Sequence, residues 1–185
     1  MKIIYFCLFL ICPSLFAAEV KIEPVYGVER TQRLQPEPAR YKTETFIGAR
    51  ALYGVPAFSL ELEVNTSNDT ENFPDQDKKI TYSSQKVLLG FRSYPIKSKM
   101  LGIYFRFGAR AQQLKREIEE VGVKSSEEDP INYDPYAGSG LTFILGKAFA
   151  LNAGATLVYN KNAENASEQY DTRYTFSFTI KAGSR

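Results

Sequence analysis

Apolar and polar side chains alternate along most of this chain. In residues 101–112, Leu101, Ile103, Phe105, Phe107, Ala109 and Ala111 fall on one face and Gly102, Tyr104, Arg106, Gly108, Arg110 and Gln112 on the other. A period of two marks a strand whose two faces meet different surroundings. The same split recurs in 20–30, where Val20, Ile22, Tyr26 and Val28 oppose Lys21, Glu23 and Glu29, and in 58–65, where Phe58, Leu60, Leu62 and Val64 oppose Ser59, Glu61, Glu63 and Asn65. Residues 44–53, 86–94, 133–145, 149–160 and 170–182 complete a set of eight predicted strands. The connections 54–57, 95–100 and 146–148 are short, whereas 31–42, 66–79, 113–131 and 161–169 are long and polar. An even number of membrane-length strands with turns short on one side and long on the other is the layout of an all-β, eight-stranded antiparallel up-and-down transmembrane β-barrel.

The charges predict which face points where. The apolar faces carry no Lys, Arg, Asp or Glu. The opposite faces carry Lys21, Arg50, Lys86, Arg92, Arg106, Arg110, Arg173 and Lys181 against Glu23, Glu29, Glu44, Glu61, Glu63, Asp134 and Asp171. A soluble, secreted lipocalin-like ligand-binding barrel would show the same alternation with its apolar face lining a cavity. Gly48, Gly90, Gly108, Gly138, Gly140 and Gly154 share the charged face, where a narrow lumen needs room for long Arg and Glu side chains. Tyr26, Tyr53, Tyr133, Tyr159 and Tyr170 lie on the apolar face near strand ends, as an interfacial girdle requires.

An eight-stranded barrel is only wide enough for its own side chains, so interior charges must pair. The predicted interior network comprises Glu23, Glu29, Arg50, Glu61, Glu63, Arg92, Arg106, Arg110, Arg173 and Lys181. Counting from the turns sets Arg50 beside Glu61 with Glu63, Arg92 and Arg106 close by, Arg173 toward Glu29, and Lys181 toward Glu23. Such a network plugs the barrel and disfavours the alternative of a small-solute pore.

Composition narrows the chemistry. Lys2 followed by an apolar run to Phe16, then Ala17 and Ala18, reads as a secretory signal peptide over 1–18, leaving 19–185 as the barrel domain. Both cysteines, Cys7 and Cys12, fall inside that segment, and the chain has no histidine. The usual general base, thiol nucleophile and imidazole ligand are therefore missing, so no enzyme activity, catalytic residue, cofactor or metal site is expected. A formal net charge of +2 gives no field that would recruit nucleic acid. Asp69, Glu71, Asp75 and Asp77 in 66–79 have the donor type for calcium but not the order of a calcium loop, which favours a solvated acidic segment. Leu114, Ile118 and Val121 have helical spacing, yet an extended hairpin above the membrane explains them equally well. Asn65, Asn68 and Asn165 begin sequons of a kind common by chance.

These features together resemble the small eight-stranded bacterial outer-membrane barrels of the OmpA and OmpX type. The likeness spans 19–185 and rests on architecture rather than on a sharp motif. It implies an outer-membrane location, contact with outer-membrane lipids and lipopolysaccharide, insertion by the barrel assembly machinery, a monomer, and a structural or surface-interaction role with the long loops outside. Family barrels commonly end on a terminal aromatic. Here Tyr174, Phe176 and Phe178 match, and 179–185 extends past them.

Overall fold

The computed structural model describes residues 19–33, 40–55, 57–74, 77–160 and 169–182; residues 1–18, and with them the predicted signal peptide, lie outside the described set. Among the described residues nine strands form: β1 (Glu19–Arg33), β2 (Arg40–Val55), β3 (Phe58–Phe73), β4 (Lys78–Lys97), β5 (Leu101–Glu120), β6 (Val123–Glu128), β7 (Asn132–Ile144), β8 (Phe149–Tyr159) and β9 (Tyr170–Ala182). All pairings are antiparallel, and the order β4-β3-β2-β1-β9-β8-β7-β5 closes through a β4–β5 pairing. Eight strands thus make a ring, with β9 returning to β1 from Val20↔Ala182 to Arg30↔Thr172.

The strand outside this ring, β6, is the outer continuation of β7. Both β6 and β7 pair with β5, at Lys115↔Glu128 and Gln112↔Asn132, with the register slipping by one residue across 129–131. Asp129 still donates its N–H to the Leu114 carbonyl at 2.8 Å. Pro130 has no N–H to give, which breaks the ladder there.

The barrel is inside-out relative to a soluble protein. Outward positions on β3 and β5 carry Phe58, Leu60, Leu62, Val64, Leu101, Phe105 and Phe107, all exposed, while Arg50, Arg92, Arg173, Glu23, Glu29, Glu61 and Glu63 are 0–1% exposed. A lipocalin-like barrel would need the reverse. The outward band ends sharply: Val64, Val87 and Ala111 form one cross-strand row, and the next outward row is Thr66, Gln85 and Gln113. On β1 the same change falls between Val28 and Arg30. Beyond that edge the outward residues of β3, β4 and β5 are polar, among them Asn68, Thr70, Thr81, Ser83, Lys115 and Glu117. Lys115 Nζ sits 2.7 Å from Glu117 Oε1, which raises the lysine pKa and lowers that of the carboxylate.

Two of the predicted long loops prove to be strand. β3 and β4 stay paired to Phe73↔Lys78, and β4 and β5 to Lys78↔Glu120. With β6 they make a four-stranded sheet projecting past the apolar band. The stretch with helical spacing is extended: Leu114 and Ile118 lie on β5, and Val121 with Gly122 forms a two-residue turn with φ of 48° and 78°. Positive φ at both positions is what a tight hairpin of right-twisted strands requires.

Four inward glycines make room for aromatic rings rather than for Arg and Glu, while Gly48, Gly108 and Gly138 lie against neighbouring backbone, Asn65 or Thr156. A Cβ on Gly140 or Gly154 would fall on the Tyr104 ring, one on Gly90 on the Tyr136 hydroxyl, and one on Gly27 on the Phe46 ring. Outward aromatics stack across strands near the short-turn end, Phe58 on Phe91 at 5.2 Å and Phe149 on Phe178 at 5.5 Å, and Tyr159 meets Tyr170 at 5.7 Å near the other.

Candidate functional site in the barrel lumen

Strand register builds the lumen. Arg50 on β2 stands directly between Glu23 on β1 and Glu63 on β3, because all three side chains share one inward-facing cross-strand row. Its guanidinium reaches Glu63 at 2.6 Å and Glu23 at 2.8 Å, and Glu61 only at 3.8 Å. The Arg50–Glu61 pairing expected from counting along the chain is therefore secondary, displaced by the two carboxylates directly opposite. Glu63 is a hub that also accepts from Arg106 at 3.0 Å and Arg173 at 2.9 Å. Glu61 pairs with Arg92 at 2.7 Å and with Arg106.

Glu29 forms a second hub, with Arg110 at 2.7 Å, Arg173 at 3.0 Å and Lys86 at 3.0 Å. The expected approach of Arg173 to Glu29 is present. Arg110 continues to Asp134 at 2.8 Å and Asp171 at 3.0 Å. Lys86, Asp134 and Asp171, inward by parity but outside the predicted network, are integral to it. Toward the projecting sheet, Arg33 pairs with Glu71 at 2.7 Å, Asp69 at 3.0 Å and Glu44 at 3.6 Å, and Arg40 pairs with Glu71. Asp69 and Glu71, weighed above as cation ligands, are thus held by cationic side chains; Asp75 lies outside the described residues.

One predicted member does not join. Lys181 was expected beside Glu23, but the β1–β9 register sets it opposite Lys21. Glu23 is saturated by others: Arg50, Arg92 at 3.1 Å, Thr179 Oγ1 at 2.7 Å, Ser177 Oγ at 3.2 Å and Asn152 Nδ2 at 3.3 Å.

Aromatic rings flank the guanidinium groups, which sequence parity could have flagged from Tyr104 on the same face as Arg106. Arg92 lies over Tyr104 at 4.5 Å, Arg106 over Tyr136 at 5.0 Å, Arg173 over Phe46 at 4.4 Å and Arg33 over Tyr82 at 3.8 Å. Planar, weakly hydrated guanidinium suits both the bidentate carboxylate contact and the ring face. Among the described residues the buried cations Lys21, Arg33, Arg50, Lys86, Arg92, Arg106, Arg110 and Arg173 equal in number the buried carboxylates Glu23, Glu29, Glu44, Glu61, Glu63, Glu71, Asp134 and Asp171, with Lys21 at the short-turn end and Glu71 at the other. A cavity of about 320 Å³ opens at the projecting-sheet end, lined by Arg33, Glu44, Tyr82, Arg110, Asp134 and Asp171 among others. A second, of about 30 Å³, lies at the short-turn end and shares no lining residue with the first.

No protein-family model matches this chain, and no curated protein matches it in sequence. Solved structures do match in shape. The outer membrane protein OprG from Pseudomonas aeruginosa aligns with a TM-score of 0.59 at 10% identity, over 91% of this chain and 97% of its own. Ail, the attachment invasion locus protein of Yersinia pestis, solved in complex with the heparin analogue sucrose octasulfate, gives 0.57 at 10%, over 89% and 97%. Neisserial surface protein A gives 0.53 at 11%, over 90% and 97%. At such identities the likeness is one of fold, and in fold this chain is a small eight-stranded outer-membrane β-barrel.

Proposed function

We propose that the protein is an integral protein of the bacterial outer membrane with a structural or surface-interaction role, its lumen sealed by paired charges and its β3–β6 sheet presented outside the cell. The observation that carries this reading is the division of the molecule at the row Val64, Val87 and Ala111. Below it the outside is apolar and the inside is filled with ion pairs. Above it the outer face of a hydrogen-bonded sheet is polar and free of the bilayer, while its inner face sets Asp69, Glu71 and Arg116 beside Ile80, Tyr82 and Leu114, a rigid platform rather than a set of slack loops.

Several partner assignments belong to the same reading. The outward apolar band would contact lipid chains, and Arg30, stacked on Tyr41 at 4.2 Å just past Val28, would meet lipopolysaccharide phosphates. Insertion would use the barrel assembly machinery, with the outward Tyr174, Phe176 and Phe178 of β9 as its recognition stretch. The ring closes on itself without a second copy, which favours a monomer. No catalytic role is assigned, because the balanced lumen leaves no histidine or thiol to act as base or nucleophile.

The test is purification of the mature chain followed by planar-bilayer recording. The expected result is a protein that stays monodisperse only in detergent and shows no steady conductance. A monodisperse protein in plain buffer would defeat the membrane assignment. A large stable open channel would defeat the sealed lumen and bring the small-solute pore forward.

A further inference from the structure

The short-turn end of the barrel holds charge that the network does not balance. Lys21 and Lys181 are direct cross-strand partners on β1 and β9, and Lys97, opposite Gly102 at the end of β4, points into the same mouth. All three line the cavity of about 30 Å³, with Tyr94, Thr142 and Thr179 among its other walls. Lys21 is 5% exposed, and its nearest carboxylate is Glu19 at a loose 3.6 Å. The three ammonium groups lie within electrostatic reach of one another and repel. Lys99 and Lys147 stand on the adjoining turns, and Glu19 is the only carboxylate side chain at this end among the described residues.

Like charges placed directly opposite on neighbouring strands destabilise a sheet. Arg92 also stands opposite Arg106, and Arg33 opposite Arg40, but Arg92, Arg106 and Arg33 hold carboxylates at 2.7, 3.0 and 2.7 Å, whereas the one acid near enough to relieve Lys181, Glu23, is committed to five other donors. We propose that the short-turn mouth formed by Lys21, Lys97 and Lys181 is a binding site for a phosphate-class oxyanion. The cavity has the volume of about one water molecule, room for one oxygen of a tetrahedral anion, with the remaining oxygens outside it among the lysine heads. The Tyr94 hydroxyl, which accepts from Arg92, keeps its own proton to donate beside the three ammonium groups, while those of Thr142 and Thr179 are spent on Asn152 and Glu23. A compact dianion satisfies several point charges at once, which a single chloride does not. The same chemistry is carried by free phosphate and by the headgroup of an anionic phospholipid, and basic pockets at a membrane face take such headgroups.

The test uses the full mature protein in dodecyl maltoside micelles, which contain no phosphate. Thermal unfolding is followed with sodium phosphate or sodium chloride at matched ionic strength, and separately with phosphatidylglycerol doped into the micelles. Phosphate should raise the midpoint where chloride does not. Lys181→Gln should raise the phosphate-free midpoint by removing repulsion, and should increase the half-saturating phosphate concentration about tenfold or more. Lys97→Gln, at the strand end, gives the same readout should Lys181→Gln fail to refold. Protection by phosphatidylglycerol without free phosphate identifies the headgroup as the source, and protection by phosphate alone identifies a soluble anion. No protection by either, or equal protection of the parent and both variants, overturns the site.

Discussion

Removing the Glu63 carboxylate is the most direct challenge to the lumen network. Glu63→Ala deprives Arg50, Arg106 and Arg173 of contacts at 2.6, 3.0 and 2.9 Å, and Asn65 Nδ2 of one at 2.9 Å. Each arginine keeps another carboxylate: Arg50 keeps Glu23 at 2.8 Å, Arg106 keeps Glu61, and Arg173 keeps Glu29 at 3.0 Å. The lumen is left with one uncompensated positive charge rather than three. Breaking a buried pair by removing one partner costs about 3–5 kcal/mol, so that is the expected loss for the whole substitution. Summing the three contacts would overstate it, because they share one acceptor and are not additive. The measurement is urea unfolding of the refolded protein in micelles, followed by circular dichroism and tyrosine fluorescence, since the chain has no tryptophan. Adding Arg173→Ala to Glu63→Ala restores neutrality, and the double variant should lose less than the sum of the single losses by about 1–3 kcal/mol. A loss below about 1 kcal/mol for Glu63→Ala, or strict additivity in the double variant, would mean that the ion pairs do not hold the lumen and that water readily replaces them.

Two further outcomes follow from the geometry. Single cysteines at Asn68 and Ser125, both exposed on the projecting sheet, should label in intact cells with a membrane-impermeant maleimide, whereas one at Ala57 in a short turn should label only after lysis; the reverse pattern would invert the topology. Gly140→Leu would drive a side chain into the Tyr104 ring, which Arg92 flanks at 4.5 Å, and should cost about 1–3 kcal/mol in the same unfolding assay, whereas an unchanged midpoint would show that the ring is free to move.

The strands inside the bilayer were legible because lipid and lumen differ so sharply that parity alone separates Leu62 from Glu63. Past the row of Val64, Val87 and Ala111 that contrast ends, since the outer face turns polar and the inner face mixes Asp69 and Glu71 with Ile80 and Tyr82. Residues 66–73 and 113–120 then read as loop although their backbones remain paired. Partner identities were less legible than partner sets. Which acid meets Arg50 depends on the inter-strand register, and a slip of two residues exchanges Glu61 for Glu63 without changing any face. Lys181 shows the same dependence, because pairing Ile22 with Ile180 carries Lys21 to Lys181 and leaves Glu23 facing Thr179. The aromatic occupants of the lumen escaped for another reason: Tyr104, Tyr136 and Phe46 break the polar character of their face, and although parity sets Tyr104 beside Arg106, it is the cross-strand glycines that mark room for a ring.

The two halves of the molecule are joined by charge as well as by backbone. Arg33 is 7% exposed and contacts Glu44 in the lumen together with Asp69 and Glu71 on the rising β3 edge, while stacking on Tyr82 of β4. Glu44 in turn accepts from Lys86, which contacts the Glu29 hub. A continuous chain of buried ion pairs therefore runs from the centre of the barrel to the base of the projecting sheet. Antiparallel strands that leave a bilayer as isolated hairpins are marginal in water. Here the hairpins share β4 and β5, extend to four strands, and are pinned at their base by a side chain that cannot leave without exposing several carboxylates. The charge-filled lumen and the stiff projecting sheet are thus two consequences of one network, which supports the proposed role of a surface that meets partners by shape rather than by folding around them.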